Sequence, residues 1–417
     1  QIDRTFTFPG RQVLYQMLRI PCLESTTELN QRAAVIRHFE ENQDIRERVQ
    51  IALQRVGERL GNELAVLLWT PAGVEKSPYS LLYNLMFIAA LLSPLSLFIG
   101  TQGIAPILAV FFINMSLHFS EQKRNKGHFE SVKALSSLIR SAEQLCKTEA
   151  EWGPLAPVIS DLQQALGRVR GFRRAASSIT VESSEPTLAA ATQYYAIFFL
   201  KEVRGFAKAL AFITREREAM HKIFQIMGTI DACQAAASYR CSLPYYCEPH
   251  FTEQRSFEVQ DTYHPLVDDC VPNSIKPTKR GVLVTGSNMS GKSTFLRSIG
   301  ISSLLAQTIY TVPAKSYSAP VMRLVTSIGR SDNVVEGKSY YLEEALAVRR
   351  VLEALEPRHT LFCIFDELFR GTNSEERITA AYRVVKYIAE RNSLVFTATH
   401  DLELTEMLDS VCENFHF

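Results

Sequence analysis

The sequence predicts an α part followed by an α/β part: long helices over roughly the first 240 residues, then strands and helices alternating around a mostly parallel sheet. Three observations predict it. Up to Pro244, apolar residues recur at three- and four-residue steps, the period of a helix with one buried face. Within that part, residues 77–120 contain no Asp, Glu, Lys or Arg. After Pro244, short apolar and β-branched runs (GVLVT at 281–285, LFCIF at 361–365, LVFTAT at 394–399) alternate with helical stretches, the pattern of a parallel sheet covered by helices.

A chain of 417 residues is too long for one core and predicts two to three domains. With 46% hydrophobic and 21% charged residues it has the composition of a folded protein. The formal net charge of +1 supplies no global field for a polyanion, so any DNA contact has to come from a local patch. The eight cysteines are scattered without a Cys-x-x-Cys pair, which predicts reduced thiols and no zinc site. The first residue is Gln rather than Met, and the expectation is that the given sequence is trimmed.

Taken in order, residues 11–68 read as helical. Val13, Leu14, Met17 and Leu18 form one apolar stripe, and Leu29, Ala33, Ile36 and Phe39 form a second. Pro21 separates the two, and Ser25-Thr-Thr-Glu28 has the form of a capping box. Ile45, Val49, Ile51, Leu53 and Val56 continue the pattern.

The uncharged stretch divides at Gly100-Thr-Gln-Gly103 into Tyr79–Ile99 and Ile104–Phe119. A bilayer core about 30 Å thick needs roughly 20 apolar helical residues. The first segment meets that length; the second is short and needs Ser120 and Glu121 near headgroups. Tyr79, Tyr83, His118 and Phe119 are expected near one side as interfacial anchors. Lys76 before the stretch and Lys123, Arg124 and Lys126 after it predict a transmembrane hairpin with both ends, and the rest of the chain, on the cytoplasmic side. The competing reading is a pair of helices buried in a large core or a dimer interface.

From residue 121 to about 243 mixed charge returns. Val132, Leu135, Leu138 and Ile139, then Val158, Leu162 and Leu166, keep helical spacing. Arg168, Arg170, Arg173 and Arg174 around Phe172 are either a phosphate-holding cluster or a solvated loop. Pro186 opens a long helical segment to about Cys241, whose first part, Leu188–Leu200, is too short to span a bilayer and is expected to be buried.

In the α/β part, Gly286-x-x-x-x-Gly291-Lys292-Ser293 follows a strand and precedes a helix, the context of a phosphate-binding loop. Backbone N–H groups from Ser287, Asn288, Met289, Ser290, Gly291, Lys292, Ser293 and Thr294 can turn inward at a helix N-terminus, where the dipole favours phosphate. Lys292 is assigned to the β and γ phosphates and the Ser293 hydroxyl to magnesium, which makes ATP and Mg2+ the expected ligands. LFCIF ends in Asp366 and Glu367; the first is assigned to the magnesium shell, the second as general base toward an attacking water. His400, just past LVFTAT, stands at a third strand tip, placed to sense the γ-phosphate or the water.

These motifs together resemble the MutS family of mismatch-repair ATPases. The resemblance runs through TGSNMSGKSTFLRSIG (285–300), LLAQTIYTVPA (304–314), SIGRSDNVVEGKSYYLEE (327–344), DELFRGTNS (366–374) and ATHDLEL (398–404), with YHPL (263–266) and VPN (271–273) leading in. Weaker similarity covers residues 10–39, like the start of the MutS helical core, and 227–238, like the end of its lever helices. The resemblance implies an ABC-type P-loop ATPase head that pairs with a second copy in a homodimer. It also implies that Asn288 contacts the γ-phosphate, Asn273 lies in the nucleotide site, Ser339 reaches the partner's nucleotide, and Arg370–Ser374 form a cross-talk loop. DNA is a partner the family implies and the charge balance does not support. Departures are Cys270 where the family has an adenine-stacking aromatic residue, no segment like the mismatch-reading or connector domains, and an end at Phe417 before the family's last strands and dimer tail. The expected organisation is a core-like helical region (1–76), a transmembrane hairpin (77–120), a lever-like helical region (121–243) and the ATPase domain (244–417).

Overall fold

The computed structural model describes residues 2–24, 26–56, 62–69, 80–148, 150–176, 179, 186–328, 340–355, 358–369 and 373–417. Twelve helices come first among them: α1 (Phe8–Arg19), α2 (Thr26–Glu41), α3 (Gln43–Gln54), α4 (Asn62–Trp69), α5 (Ser80–Leu92), α6 (Ile104–Arg124), α7 (Lys126–Lys147), α8 (Ala156–Val169), α9 (Phe172–Ala176), α10 (Pro186–Phe198), α11 (Lys201–Arg215) and α12 (Arg217–Arg240). Strands β1 (His250–Phe251), β2 (Glu258–Thr262), β3 (Asn273–Ile275) and β4 (Gly281–Thr285) follow, then α13 (Lys292–Ala306), β5 (Ser316–Ala319), β6 (Met322–Ser327), α14 (Tyr340–Glu353) and β7 (Thr360–Asp366). The chain continues with α15 (Ser374–Ala389), β8 (Ser393–Ala398), α16 (Leu402–Met407) and β9 (Cys412–His416). All eight cysteines are free thiols.

Two compact units emerge, and neither is one continuous stretch: the first holds residues 1–2, 15–40 and 236–417, the second 3–14 and 41–235. The linear expectation cut the chain at 76, 120 and 243 instead.

In the first unit, β4, β7 and β8 are the three runs read from the sequence. Their strands are buried on both faces, as a parallel sheet covered by helices requires. The sheet order is β6-β7-β8-β4-β9, with every pairing parallel. One face packs Phe295, Leu296 and Ile299 of α13 on Val282, Val284, Phe362 and Phe396. The other carries Val385 and Ile388 of α15 on Leu283, Cys363 and Val395. A separate four-stranded mixed sheet, β1-β5-β2-β3, packs on α13, where Thr262 Oγ1 and Ser302 Oγ meet at 2.9 Å. Its strands are two to five residues long with little alternation, so the sequence carried no clear signal for it.

The α2 stripe Leu29, Ala33, Ile36 and Phe39 is buried as its spacing demands; Ser25 of the capping box lies outside the described residues. Nearby, the Arg240 side chain is wholly buried. It donates to Thr311 Oγ1 (2.8 Å) and Tyr310 O (2.6 Å), and pairs with Glu40 (3.3 Å) and Glu248 (3.1 Å). A planar fork with five donors is the one side chain able to serve four acceptors on three segments.

The second unit is helical. Val132, Leu135, Leu138 and Ile139 of α7, Leu162 and Leu166 of α8, and Val203, Phe206 and Ile213 of α11 form buried stripes, while Ile51 of α3 faces outward at 53% exposure. The segment from Pro186 is three helices rather than one: Leu200 adopts a left-handed conformation (φ 48°, ψ 34°) between α10 and α11. That conformation costs about 1–2 kcal/mol for a non-glycine residue. Burial of the Leu200 side chain beside Tyr83 and Val203 offsets it.

The uncharged stretch departs from expectation in three ways. Its first segment is not one helix: α5 stops at Leu92 and a 3-10 turn runs over Ser93–Ile99, because Pro94 cannot donate to the α-helical ladder. The second is longer than expected; α6 has 21 residues, about 32 Å at 1.5 Å per residue. Tyr83 and His118, expected as outward anchors, are buried, at 1% and 2% exposure, whereas Phe119 is exposed and Tyr79 lies outside the described residues. Leu81–Ile99 and Thr101–Arg124 are long and apolar enough to cross a membrane, and only 17% of each apolar window is buried. The burial expected of Leu188–Leu200 is found in part: Ile197 and Leu200 are buried, whereas Tyr194 and Tyr195 of α10 are 62% and 55% exposed.

Replacing Arg240 with Ala removes four hydrogen-bond and ion-pair contacts at once, although Glu248 keeps Arg37 and Glu40 keeps the Tyr246 hydroxyl. Arg240→Ala is expected to lower the unfolding free energy by about 3 kcal/mol, with Arg240→Lys intermediate, as followed by circular dichroism during urea unfolding.

Candidate functional site

Three strand ends meet at the carboxyl edge of the five-stranded sheet. β4 runs into the loop Gly286–Gly291, whose shape depends on its two glycines. Gly286 has φ 144°, and a Cβ there would sit 2.3 Å from Phe417 O; Gly291 has φ 99° with open space around it. Met289, also left-handed at φ 64°, is fully exposed at the loop tip beside exposed Ser287 and Asn288. Ser290 Oγ is buried without a hydrogen-bond partner, an orphaned polar atom of the kind a ligand satisfies.

Lys292 opens α13 and is buried. Its ammonium curls back to donate to Gly286 O (3.0 Å) and Ser287 O (2.7 Å) within the loop. Next to it, Ser293 Oγ donates to Asp366 Oδ1 at 3.0 Å, so the two residues assigned to magnesium touch although 73 positions separate them. The donor set suits that ion: a hydroxyl and a carboxylate oxygen at a phosphate loop are hard ligands. Thr294 follows in the first turn of α13, partly buried.

Glu367 turns away from the strand with φ 54°, its N–H held by Ala398 O at 3.1 Å. His400 Nε2 lies 2.9 Å from Glu367 Oε1. The structure therefore brings Lys292, Ser293, Asp366, Glu367 and His400 to one sheet edge. Asn273 begins β3 in the other sheet, its amide donating to Val271 O at 3.0 Å. Cys270, in the place of the aromatic residue, accepts from His264 N at 3.3 Å. Ser339 and Arg370–Thr372 lie outside the described residues; Asn373, from the same loop, caps α15 by accepting from Glu376 N at 2.9 Å.

Sequence reasoning missed a supporting pair. Arg377 of α15 grips Asp401 through two bonds, 2.6 and 3.0 Å, and thereby fixes the residue next to His400. The Asp401 carboxylate raises the Arg377 pKa above its ordinary value, and Glu367 adds to the same effect. An Arg one turn into the helix after the strand-loop motif, with an Asp following the His, was the available signal.

Because Gly286 faces both a positive φ and a backbone carbonyl, Gly286→Ala is expected to disrupt the loop and abolish nucleotide retention. Gly291→Ala meets only strain, about 1–2 kcal/mol. Equilibrium binding of a fluorescent ATP analogue to both variants checks that order.

Comparison with known proteins fits this geometry. Residues 282–417 match the family profile for MutS domain V. The DNA mismatch repair protein MutS of Thermotoga maritima is 33% identical over 202 residues, covering 47% of this chain and 25% of that protein. Its counterpart in Staphylococcus saprophyticus is 33% identical over 211 residues, 48% of this chain and 23% of that protein. The DNA mismatch repair protein msh3 of Aspergillus fumigatus is 32% identical over 217 residues, 50% and 19% respectively. The chain thus spans about a quarter or less of the length of these relatives. Residues 282–417 are thus where the chain is similar to the MutS family, through its domain V.

Proposed function

We propose that this chain is an ATPase whose nucleotide cycle drives helices embedded in a lipid bilayer. The observation that carries the first half is the meeting of Lys292, the Ser293–Asp366 pair and the Glu367–His400 pair at one sheet edge in a MutS domain V. Lys292 leaves its two loop carbonyls for the β and γ phosphates, exchanging neutral acceptors for charged ones. Backbone N–H groups of Ser287–Thr294 and the Ser290 hydroxyl cradle the remaining oxygens. Ser293 and Asp366 would hold magnesium, which would supply positive charge to the triphosphate. Glu367 orients a water and takes its proton at a carboxylate oxygen as the water attacks the γ-phosphorus. The bond to the β–γ bridging oxygen breaks, leaving ADP and inorganic phosphate. His400, 2.9 Å from Glu367, fixes that carboxylate. Two heads pair as a homodimer of the ABC type, with Ser339 of each reaching the other's nucleotide; this pairing rests on the family likeness alone.

The second half is supported by the outward apolar surface of Leu81–Ile99 and Thr101–Arg124 and by the basic residues at Lys123, Arg124 and Lys126. It makes the chain a membrane protein with its ATPase domain in the cytoplasm. The competing reading is a DNA clamp, favoured by relatives that are DNA mismatch repair proteins. It requires DNA affinity that falls steeply with salt and DNA-stimulated hydrolysis.

Glu367→Gln is expected to lower ATP turnover by about 100-fold or more while ATP binding persists, and Lys292→Ala to lose binding itself. Steady-state phosphate release and nucleotide binding separate the two, and an unchanged turnover in Glu367→Gln overturns the assignment of the base. For the hairpin, the chain should remain in membranes washed with alkaline carbonate and be released when residues 77–120 are deleted. Retention of the deletion variant removes the hairpin as anchor.

A further inference from the structure

Beside the hairpin lies a third apolar helix, α10. Asn114, fully buried at mid-length in α6, donates Nδ2 to Phe198 O of α10 at 2.6 Å. The Phe111 ring lies 6.5 Å from that of Tyr194 and 6.3 Å from that of Phe198, and Phe199 lies 6.0 Å from Phe87 of α5. α10 is therefore fixed against α6, and Phe199 just past its end against α5. Its other side exposes Tyr194 and Tyr195, and residues 186–200 include no charge.

Charge returns directly afterwards, at Lys201, Glu202 and Arg204, and the polar contacts gather there. The Lys201 ammonium is 5.8 Å from the Tyr195 ring. The Arg204 guanidinium stacks 3.8 Å over Phe87 and donates to Asn84 Oδ1 at 3.1 Å, while Gln122 Nε2 donates to Glu202 at 3.0 Å. A cavity of about 360 Å³ opens at the same end, lined by Phe119, Lys123, Lys126 and Lys133 together with Glu130 and Glu202. An uncharged surface along α10 followed directly by cations matches acyl chains on one side and anionic headgroups on the other.

We propose that α10 is a third lipid-contacting helix, laid beside the hairpin in the same bilayer, with Tyr194 and Tyr195 against acyl chains beside the middle of α6 and the charged residues from Lys201 onward toward the headgroups. This rests on the hairpin reading above. The Asn114 bond is its fastening, since in hydrocarbon the buried amide has no water to turn to. A short helix beside two longer ones reaches only part of the bilayer: 13 residues span about 20 Å.

The test uses the full chain in vesicles of phosphatidylcholine and phosphatidylserine, doped with phosphatidylcholine carrying a photoactivatable diazirine in its acyl chain. After illumination, adducts are mapped by peptide mass spectrometry. Adducts on residues 186–200 as well as 80–124 are expected. Adducts on the hairpin alone overturn the proposal and leave the hairpin reading intact; adducts on neither overturn both. Protein–protein links through Tyr194 or Tyr195 in place of lipid adducts assign the face to a second copy and also overturn it. In Asn114→Leu the α10 adducts should fall about threefold with hairpin adducts unchanged. An equal yield in that variant refutes Asn114 as the fastening.

Discussion

Asp366 of β7 pairs in register with Ala398 of β8, and Val284 of β4 pairs with the same Ala398 from the other side. Three strands therefore end at one level, and the residues that leave them reach a common point. Ser293 can touch Asp366, and Glu367 can touch His400, only because no strand is displaced along its neighbour. Side chains alternate along a strand, so a one-residue slip of β7 would turn Asp366 to the other face and exchange the side chains fitted to the two cores. The burial of Phe362, Ile364 and Phe396 in one core and Leu361, Cys363 and Val395 in the other thus sets the distances of the site.

Backbone strain concentrates at that edge. Glu367 and Phe369 carry positive φ (54° and 59°), as does Met289 in the loop. Each such residue costs about 1–3 kcal/mol and persists where the surroundings over-determine it. For Glu367 the surroundings are the bond from its N–H to Ala398 O; for Phe369 they are the burial of its ring with Leu368 in the sheet core. The sharp turn separates the two adjacent carboxylates. Asp366 stays in the strand direction toward Ser293, and Glu367 is thrown toward His400. An extended backbone would also send neighbours to opposite faces, but it would carry Glu367 on past the sheet edge.

Much of this edge was legible in the sequence, because each piece announces itself locally. The five-residue run GVLVT followed by Gly-x-x-x-x-Gly-Lys-Ser needs no tertiary knowledge, and the same holds for LFCIF before Asp366 and LVFTAT before His400. The pair Arg377–Asp401 was harder to read: Asp401 sits in ATHDLEL, but its partner lies on a different element outside the quoted motifs. The short mixed sheet was missed for a similar reason. Its strands are too brief for periodicity, and the place of β5 between β1 and β2 is set by contacts across more than fifty residues. Helix limits in the second unit failed where backbone exceptions intervene, at Pro94 and at left-handed Leu200.

Hydropathy gave the uncharged stretch its length but not its orientation, and there the physical lesson is sharper. On α6 the buried residues include Asn114, His118 and Glu121, three and four positions apart on one face. The outward residues include Leu108, Phe112, Ile113 and Phe119. A soluble amphipathic helix does the reverse, hiding its apolar stripe and wetting its polar one. Placing Tyr83 and His118 at an outer interface assumed that polar tips seek water. In the fold, His118 Nε2 instead lies 3.8 Å from Glu202, and Tyr83 packs on Leu200 and Val203. An inverted helix of this kind is costly in water, where every exposed Leu and Phe forgoes its transfer free energy. In hydrocarbon the sign changes: apolar side chains lose nothing by facing outward, and the polar groups gain from meeting one another inside. The direction in which α6 turns its polar face therefore argues for an apolar solvent independently of helix length, the feature that a buried soluble helix shares.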